Sequence, residues 1–141
     1  MSARLKSWKR VLAVRETQCR IAIGDAVNAQ RAEATLEHNA ARLKKLQQAA
    51  YQTDDCASGS ALHAQLELGQ RLLQANNEID NALTRARQNL ARAERQRTAA
   101  YIERETTGKL LDRTRMDISE TAERKAAAMP RFQRKTRGWN A

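Results

Sequence analysis

Small or apolar residues recur at alternate spacings of three and four from Leu5 to Ala50. Such a heptad repeat lines one face of a helix and is buried by packing against another helix, whereas a strand repeats every two residues. Of the 14 positions in this seam, 11 are apolar or small, and the repeat predicts a first helix over about residues 3–53. The seam comprises Leu5, Trp8, Leu12, Cys19, Ala22, Ala26, Ala29, Leu36, Ala40, Leu43 and Ala50, and polar Arg15, Glu33 and Gln47 fill the remaining positions.

One interior segment, residues 53–60, concentrates residues that break or cap helices. Asp, Ser and Gly are frequent in turns for local conformational reasons, so the segment predicts a turn over about residues 54–60. Ser58 or Ser60 is placed to cap the next helix, because a hydroxyl there can accept a hydrogen bond from a free first-turn N–H.

A second, weaker seam predicts a longer helix over about residues 61–128. Pro130 ends it, because a proline disfavours helical backbone at the preceding residue. The basic segment 130–141 lacks periodicity and predicts a tail without regular structure, in which Trp139 is either a docking anchor or simply part of that tail. The second seam comprises Leu62, Leu72, Ile79, Leu83, Ala86, Leu90, Ala93, Ala100, Leu111, Ile118 and Ala128, with Gln65, Gly69, Asn76, Arg97 and Arg104 between them.

Two long helices joined by a short turn predict an all-α fold, a long antiparallel two-helix coiled-coil hairpin with an overhanging C-terminal helix. The whole chain, residues 1–141, would form this single hairpin. A turn near residue 57 places opposite one another those residues whose numbers add to roughly 114. Leu43 is thus expected near Leu72, and Leu36 near Ile79.

The positive charge is unevenly distributed. The chain has a formal net charge of +10, of which residues 1–15 carry +5 and residues 131–141 carry +4. Residues that would form a metal centre, a phosphate-binding glycine loop or a nucleophilic site are missing from the sequence, so we expect neither an enzyme nor a cofactor. No apolar run approaches the roughly 20 residues needed to span a bilayer, and the start of the chain has no signal-like apolar segment, which favours a cytosolic protein.

The opening Leu5-Lys-Ser-Trp-Lys-Arg-Val-Leu-Ala-Val-Arg-Glu, followed by Ala-rich heptads, resembles the start of the FliJ/YscO family. Leu111-Asp-Arg-Thr-Arg-Met-Asp, followed by Ala122-Glu-Arg, resembles a run near the far end of flagellar members. The family's acidic residue after the second Asp is replaced here by Ile118. These proteins are small stalks of flagellar and virulence type III protein export machines.

The resemblance implies a stalk at the cytosolic face of the inner-membrane export apparatus, peripheral to the membrane and held there by its partners. It would insert into the hexameric export ATPase, stimulate it, couple it to the export gate protein and in some cases handle secretion chaperones, with no small-molecule substrate. The export gate would contact an apolar stripe early in the second helix, although seam packing is a competing interpretation for Leu72 and Ile79. The implied gate contacts are Leu72, Leu73, Asn76 and Ile79, and the implied ATPase contacts are Arg4, Lys6, Lys9, Arg10, Arg113, Arg115, Arg124 and Lys125.

A basic coiled coil that binds nucleic acid or the ribosome is the alternative, because a pI near 10.4 is typical of such proteins. Two features disfavour it. Aromatic residues, on which bases stack, make up only 4% of the chain, and the segment between the two basic ends has a net charge of only +1.

Overall fold

A computed structural model describes residues 3–52 and 58–129. All of these except Ser58 and Met129 are helical. Helix α1 spans Ala3–Gln52 and helix α2 spans Gly59–Ala128. The two helices pack against each other, which confirms the expected all-α helical hairpin.

Ser58 caps α2 and sets its first residue two positions earlier than expected. Its Oγ accepts a hydrogen bond from the Ala61 N–H at 3.2 Å, and its carbonyl accepts one from the Leu62 N–H at 3.1 Å. This is the N-cap arrangement, in which a side-chain oxygen satisfies a donor of the first turn. Most of the expected turn, with Cys56, and the expected tail, with Trp139, lie outside the described residues.

The chain forms two compact units, each built from a part of both helices. The central unit is Ile21–Thr98, and the terminal unit combines Met1–Arg20 with Ala99–Ala141. In the central unit, α1 and α2 run antiparallel: Gln47 lies beside Leu72, while the earlier Glu33 lies beside the later Arg87.

Small side chains dominate the core of the central unit. Four of its six buried apolar residues are alanines, which let two helices approach closely. In the terminal unit the buried side chains are longer, and Cys19 is among them as an apolar seam residue, as its position in the heptad predicted. The buried residues are Ala22, Ala26, Leu43, Leu83, Ala86 and Ala93 in the central unit and Leu5, Cys19, Thr107 and Leu111 in the terminal unit.

The α2 seam differs from the prediction at both of its ends. Leu62 is 50% exposed, and Ala61 takes the half-buried position beside it. Ala128 is exposed, as is every residue of α2 from Ser119 onward, whereas Ile118 is still half-buried. A seam position is buried only where the other helix covers it.

The register also differs from the expected one. Gln47, expected opposite Glu67, donates from Nε2 to the Leu72 carbonyl at 3.4 Å. Arg15, expected opposite Ala99, binds Glu103 at 2.8 Å. Both contacts lie several residues further along α2. A slip of three or four residues moves each seam position onto the next, so the heptad pattern alone is satisfied by either register.

Candidate interaction site

The two units differ sharply in charge. The terminal unit contains 16 Lys or Arg and 7 Asp or Glu, a formal net charge of +9, whereas the central unit contains 10 and 9, a net charge of +1. Long-range attraction of an acidic partner therefore acts mainly on the terminal unit.

Eight basic residues of the terminal unit match the ATPase contacts implied by the resemblance, and the structure exposes every one of them. None forms an ion pair within 4.0 Å with a carboxylate of the described residues. Arg15 is different, because Glu103 neutralises it locally. The eight exposed cations, called here the terminal cations, are Arg4, Lys6, Lys9, Arg10, Arg113, Arg115, Arg124 and Lys125.

Two of the terminal cations are brought together from the two helices. Arg4 of α1 and Lys125 of α2 line a common open cavity of about 420 Å³, together with Asp117 and Ile118. The cavity is therefore mixed in charge and partly apolar. Such a surface suits a protein side chain better than a free anion, because Asp117 repels negative charge.

The remaining terminal cations are arranged differently on the two helices. On α1, Lys6, Lys9 and Arg10 are three and four residues apart, so they share one face within an arc of about 100°. Arg113 and Arg115 are about 200° apart on α2 and point to nearly opposite sides of it. The terminal unit thus has one basic face on α1, together with cations on more than one side of α2.

The residues implied as gate contacts have two different environments. Leu72, Asn76 and Ile79 are half-buried in the seam, and the Leu72 carbonyl accepts the hydrogen bond from Gln47. Leu73 is 60% exposed and is available to a partner. Seam packing therefore accounts for three of the four residues in this structure.

A second apolar stripe runs beside the seam on the first turns of α2, and the sequence analysis did not identify it. Leu62, Leu66 and Leu73 are each at least half exposed and, with Tyr51 of α1, line an open groove of about 390 Å³. We call these four residues and their groove the leucine groove. Their spacing of four and seven residues on α2 was the available signal, but Leu62 had been assigned to the seam.

Within the described residues, no three side chains of His, Cys, Asp or Glu come together as metal ligands would. Neither described helix combines the length and apolarity needed to cross a bilayer. No family model, curated protein or solved structure matches the chain.

Proposed function

We propose that this protein is a cytosolic stalk of a type III protein export apparatus, flagellar or virulence-related, which inserts into the hexameric export ATPase and stimulates it. The observation that carries the proposal is the set of terminal cations, all exposed and all without an ion-pair partner among the described residues. Unpaired cations keep their full attraction for an external carboxylate.

The cations of α2 support a partner that contacts more than one side of the helix. Arg113 and Arg115 point to nearly opposite sides of α2, which suits an acidic ring lumen around a stalk. A nucleic-acid duplex presents its phosphates to one face of a protein, and its affinity grows with the number of phosphates contacted at once. Lys6, Lys9 and Arg10 form a face that a duplex could also contact, and the charge-reversal experiment distinguishes the two kinds of partner.

The stalk has no catalytic role in this proposal, and nucleotide hydrolysis belongs to the ATPase. Exposed charge pairs contribute mainly to association rate and specificity, so binding should be modest in affinity and sensitive to salt. The export gate protein would contact the exposed Leu73, and secretion chaperones would be further partners.

Charge reversal in the terminal unit tests the proposal. The quadruple variant Arg4→Glu, Lys6→Glu, Lys9→Glu and Arg10→Glu lowers the formal net charge from +10 to +2. All four side chains are exposed, so the helices should stay folded. We expect stimulation of the cognate export ATPase to disappear, as measured by phosphate release.

A matched control makes the same charge change in the central unit. Arg31→Glu, Arg42→Glu, Arg92→Glu and Arg95→Glu also replace exposed basic residues that form no ion pair with a described residue. This variant should stimulate the ATPase almost normally. Normal stimulation by the terminal variant would refute the stalk proposal. Equal loss in both variants, together with salt-dependent binding to any duplex, would instead identify a nucleic-acid-binding protein.

A further inference from the structure

The leucine groove places large apolar side chains in water on a helix that already buries a different apolar face. Tyr51 is 77% exposed, Leu62 50%, Leu66 62% and Leu73 60%. A helix with one buried seam normally presents polar residues on its remaining faces. An exposed apolar patch of this kind is a candidate surface for contact with another chain.

Charge is excluded from the described part of the patch. Among the residues that the structure describes, none that lines the groove is Asp, Glu, Lys or Arg. On α2 from Gly59 to Asn77 these residue types occur only as Glu67 and Arg71, which bind each other at 3.1 Å and so cancel. Depletion of charge at the centre of an apolar patch is characteristic of protein–protein interfaces.

The distribution of charge indicates which chain can cover it. Two copies of a protein with a net charge of +10 repel each other most strongly through their +9 terminal units. Contact through the central units, each +1, largely avoids this repulsion because the Debye length is only about 8 Å at physiological salt. A strongly acidic partner would be attracted to the terminal cations instead.

The stripe on α2 is also close to self-complementary. Leu66 precedes Gly69 by three residues and Leu73 follows it by four. Two antiparallel copies of α2 that cross at Gly69 therefore bring Leu66 of one copy against Leu73 of the other, twice. Gly69 lines the groove and is half-buried at the edge of the seam, and a Cβ built there would have no neighbouring heavy atom within 4 Å, so the position has room for a side chain.

We propose that the leucine groove binds a second copy of this chain in a two-fold symmetric dimer, with α2 crossing α2 near Gly69. The interface is isologous, because the same surface patch of each copy contributes to it. This dimer uses neither the terminal cations nor an ATPase, but it would cover Leu73, the residue proposed to contact the export gate. A negative result here would leave the ATPase experiment unaffected.

The exposed area limits the strength of the association. A tyrosine can bury 150–250 Å² and a leucine roughly 100 Å², so at their exposed fractions the four residues offer on the order of 330 Å² per copy. Two copies would then bury roughly 650 Å² through these residues, less than the roughly 1,200 Å² of a standard specific interface. We therefore expect a weak, reversible dimer with a dissociation constant between about 100 μM and 1 mM.

Sedimentation equilibrium of the full chain from about 10 μM to 1 mM tests the proposal, in 0.15 M and in 0.5 M NaCl. The dimer fraction should rise with concentration and should not fall at the higher salt, because screening removes repulsion without weakening apolar contacts. A chain that remains monomeric at 1 mM would overturn the proposal and leave the groove to a different protein.

Paired aspartate variants locate the interface. Leu66→Asp with Leu73→Asp places like charges opposite each other across the two-fold axis and should reduce self-association at least tenfold. The control is Leu46→Asp with Leu68→Asp, which changes two similarly exposed leucines of the same unit that do not line the groove. Equal effects of the two variants, at equal helix content by circular dichroism, would refute this interface.

A cysteine at the crossing point provides a test that does not depend on destabilising the dimer. In a Cys56→Ser background, Gly69→Cys should form an intermolecular disulfide on mild oxidation, because a residue at a two-fold axis faces its own copy. Gln74→Cys, which is exposed and does not line the groove, should form far less. The remaining Cys19 is only 2% exposed. Equal cross-linking at positions 69 and 74 would contradict the proposed symmetry.

Discussion

Replacing Leu43 with Ala tests whether the seam supplies the stability of the central unit. Leu43 is 8% exposed, whereas Leu46, three residues later on the same helix, is 60% exposed. The substitution removes three carbons from a nearly buried side chain, worth about 2.5 kcal/mol at roughly 0.8 kcal/mol per carbon. No large side chain of the described residues is fully buried, so the surrounding groups and water can fill the gap. The loss should therefore lie near the lower end of the roughly 2.7–5 kcal/mol seen for leucines in closed cores.

Thermal and urea unfolding, followed by circular dichroism at 222 nm, would measure the loss. With an unfolding entropy of about 2.1 cal/mol/K per residue, a loss of 2.5 kcal/mol lowers the Tm by about 10 °C if the described helices unfold together. Leu46→Ala is the control and should change the free energy of unfolding by less than about 0.5 kcal/mol. If the control is destabilised as much as Leu43→Ala, the seam is not the stabilising contact and the assignment of buried faces is wrong.

Two further predictions concern the helices themselves. Gly24→Ala should stabilise α1 by about 1 kcal/mol in the same unfolding assay, because alanine restricts the unfolded chain and its Cβ would meet no heavy atom within 4 Å. Any loss of stability would show that another group covers this position. Ser58→Ala should lower the free energy of unfolding by about 1 kcal/mol, because it removes the acceptor for the Ala61 N–H. Ser58→Asp keeps an acceptor there and should retain most of the stability. Equal free energies of unfolding for the two variants would exclude a capping role.

The sequence was most informative where a single repeat determines burial. Every seam position of α1 from Leu5 to Ala50 is buried or half-buried, including the polar positions. Arg15, Glu33 and Gln47 are tolerated there because each has a partner on α2: Glu103, Arg87 and the Leu72 carbonyl, respectively. A heptad pattern counts residues along one helix, so it predicts which face is buried without requiring knowledge of the partner.

The sequence-based predictions were wrong where register or burial depends on the second helix. The register is set by how the chain leaves one helix and enters the next, and seam residues of similar size do not distinguish neighbouring registers. Ala128 fits the repeat but is exposed, since only coverage by α1 would bury it. Thr107 was not expected in the core and is 6% exposed.

The candidate sites likewise combine features that the sequence predicts with features that only the structure shows. Exposure of the terminal cations follows from their positions outside the seam, so the sequence predicts it. Their lack of ion pairs depends on which carboxylates lie across from them and requires the structure. The leucine groove was missed because the seam repeat includes Leu62 and the implied gate stripe includes Leu73, which left Leu66 as an isolated apolar residue.

The last ten residues of α2, Ser119 to Ala128, are all exposed. The cavity shared with Arg4 is open, so this part of the helix has little tertiary support. An isolated helix of that length is marginal in water, and here it persists as an extension of a nucleus formed by the packed turns before it. Its amide protons should therefore exchange with solvent much faster than those around Leu111, and within α2 trypsin should cleave first after Arg124 or Lys125. A partner that binds this segment would shift its local helix–coil equilibrium towards the helix. Its binding could then be detected as slower exchange of these amide protons.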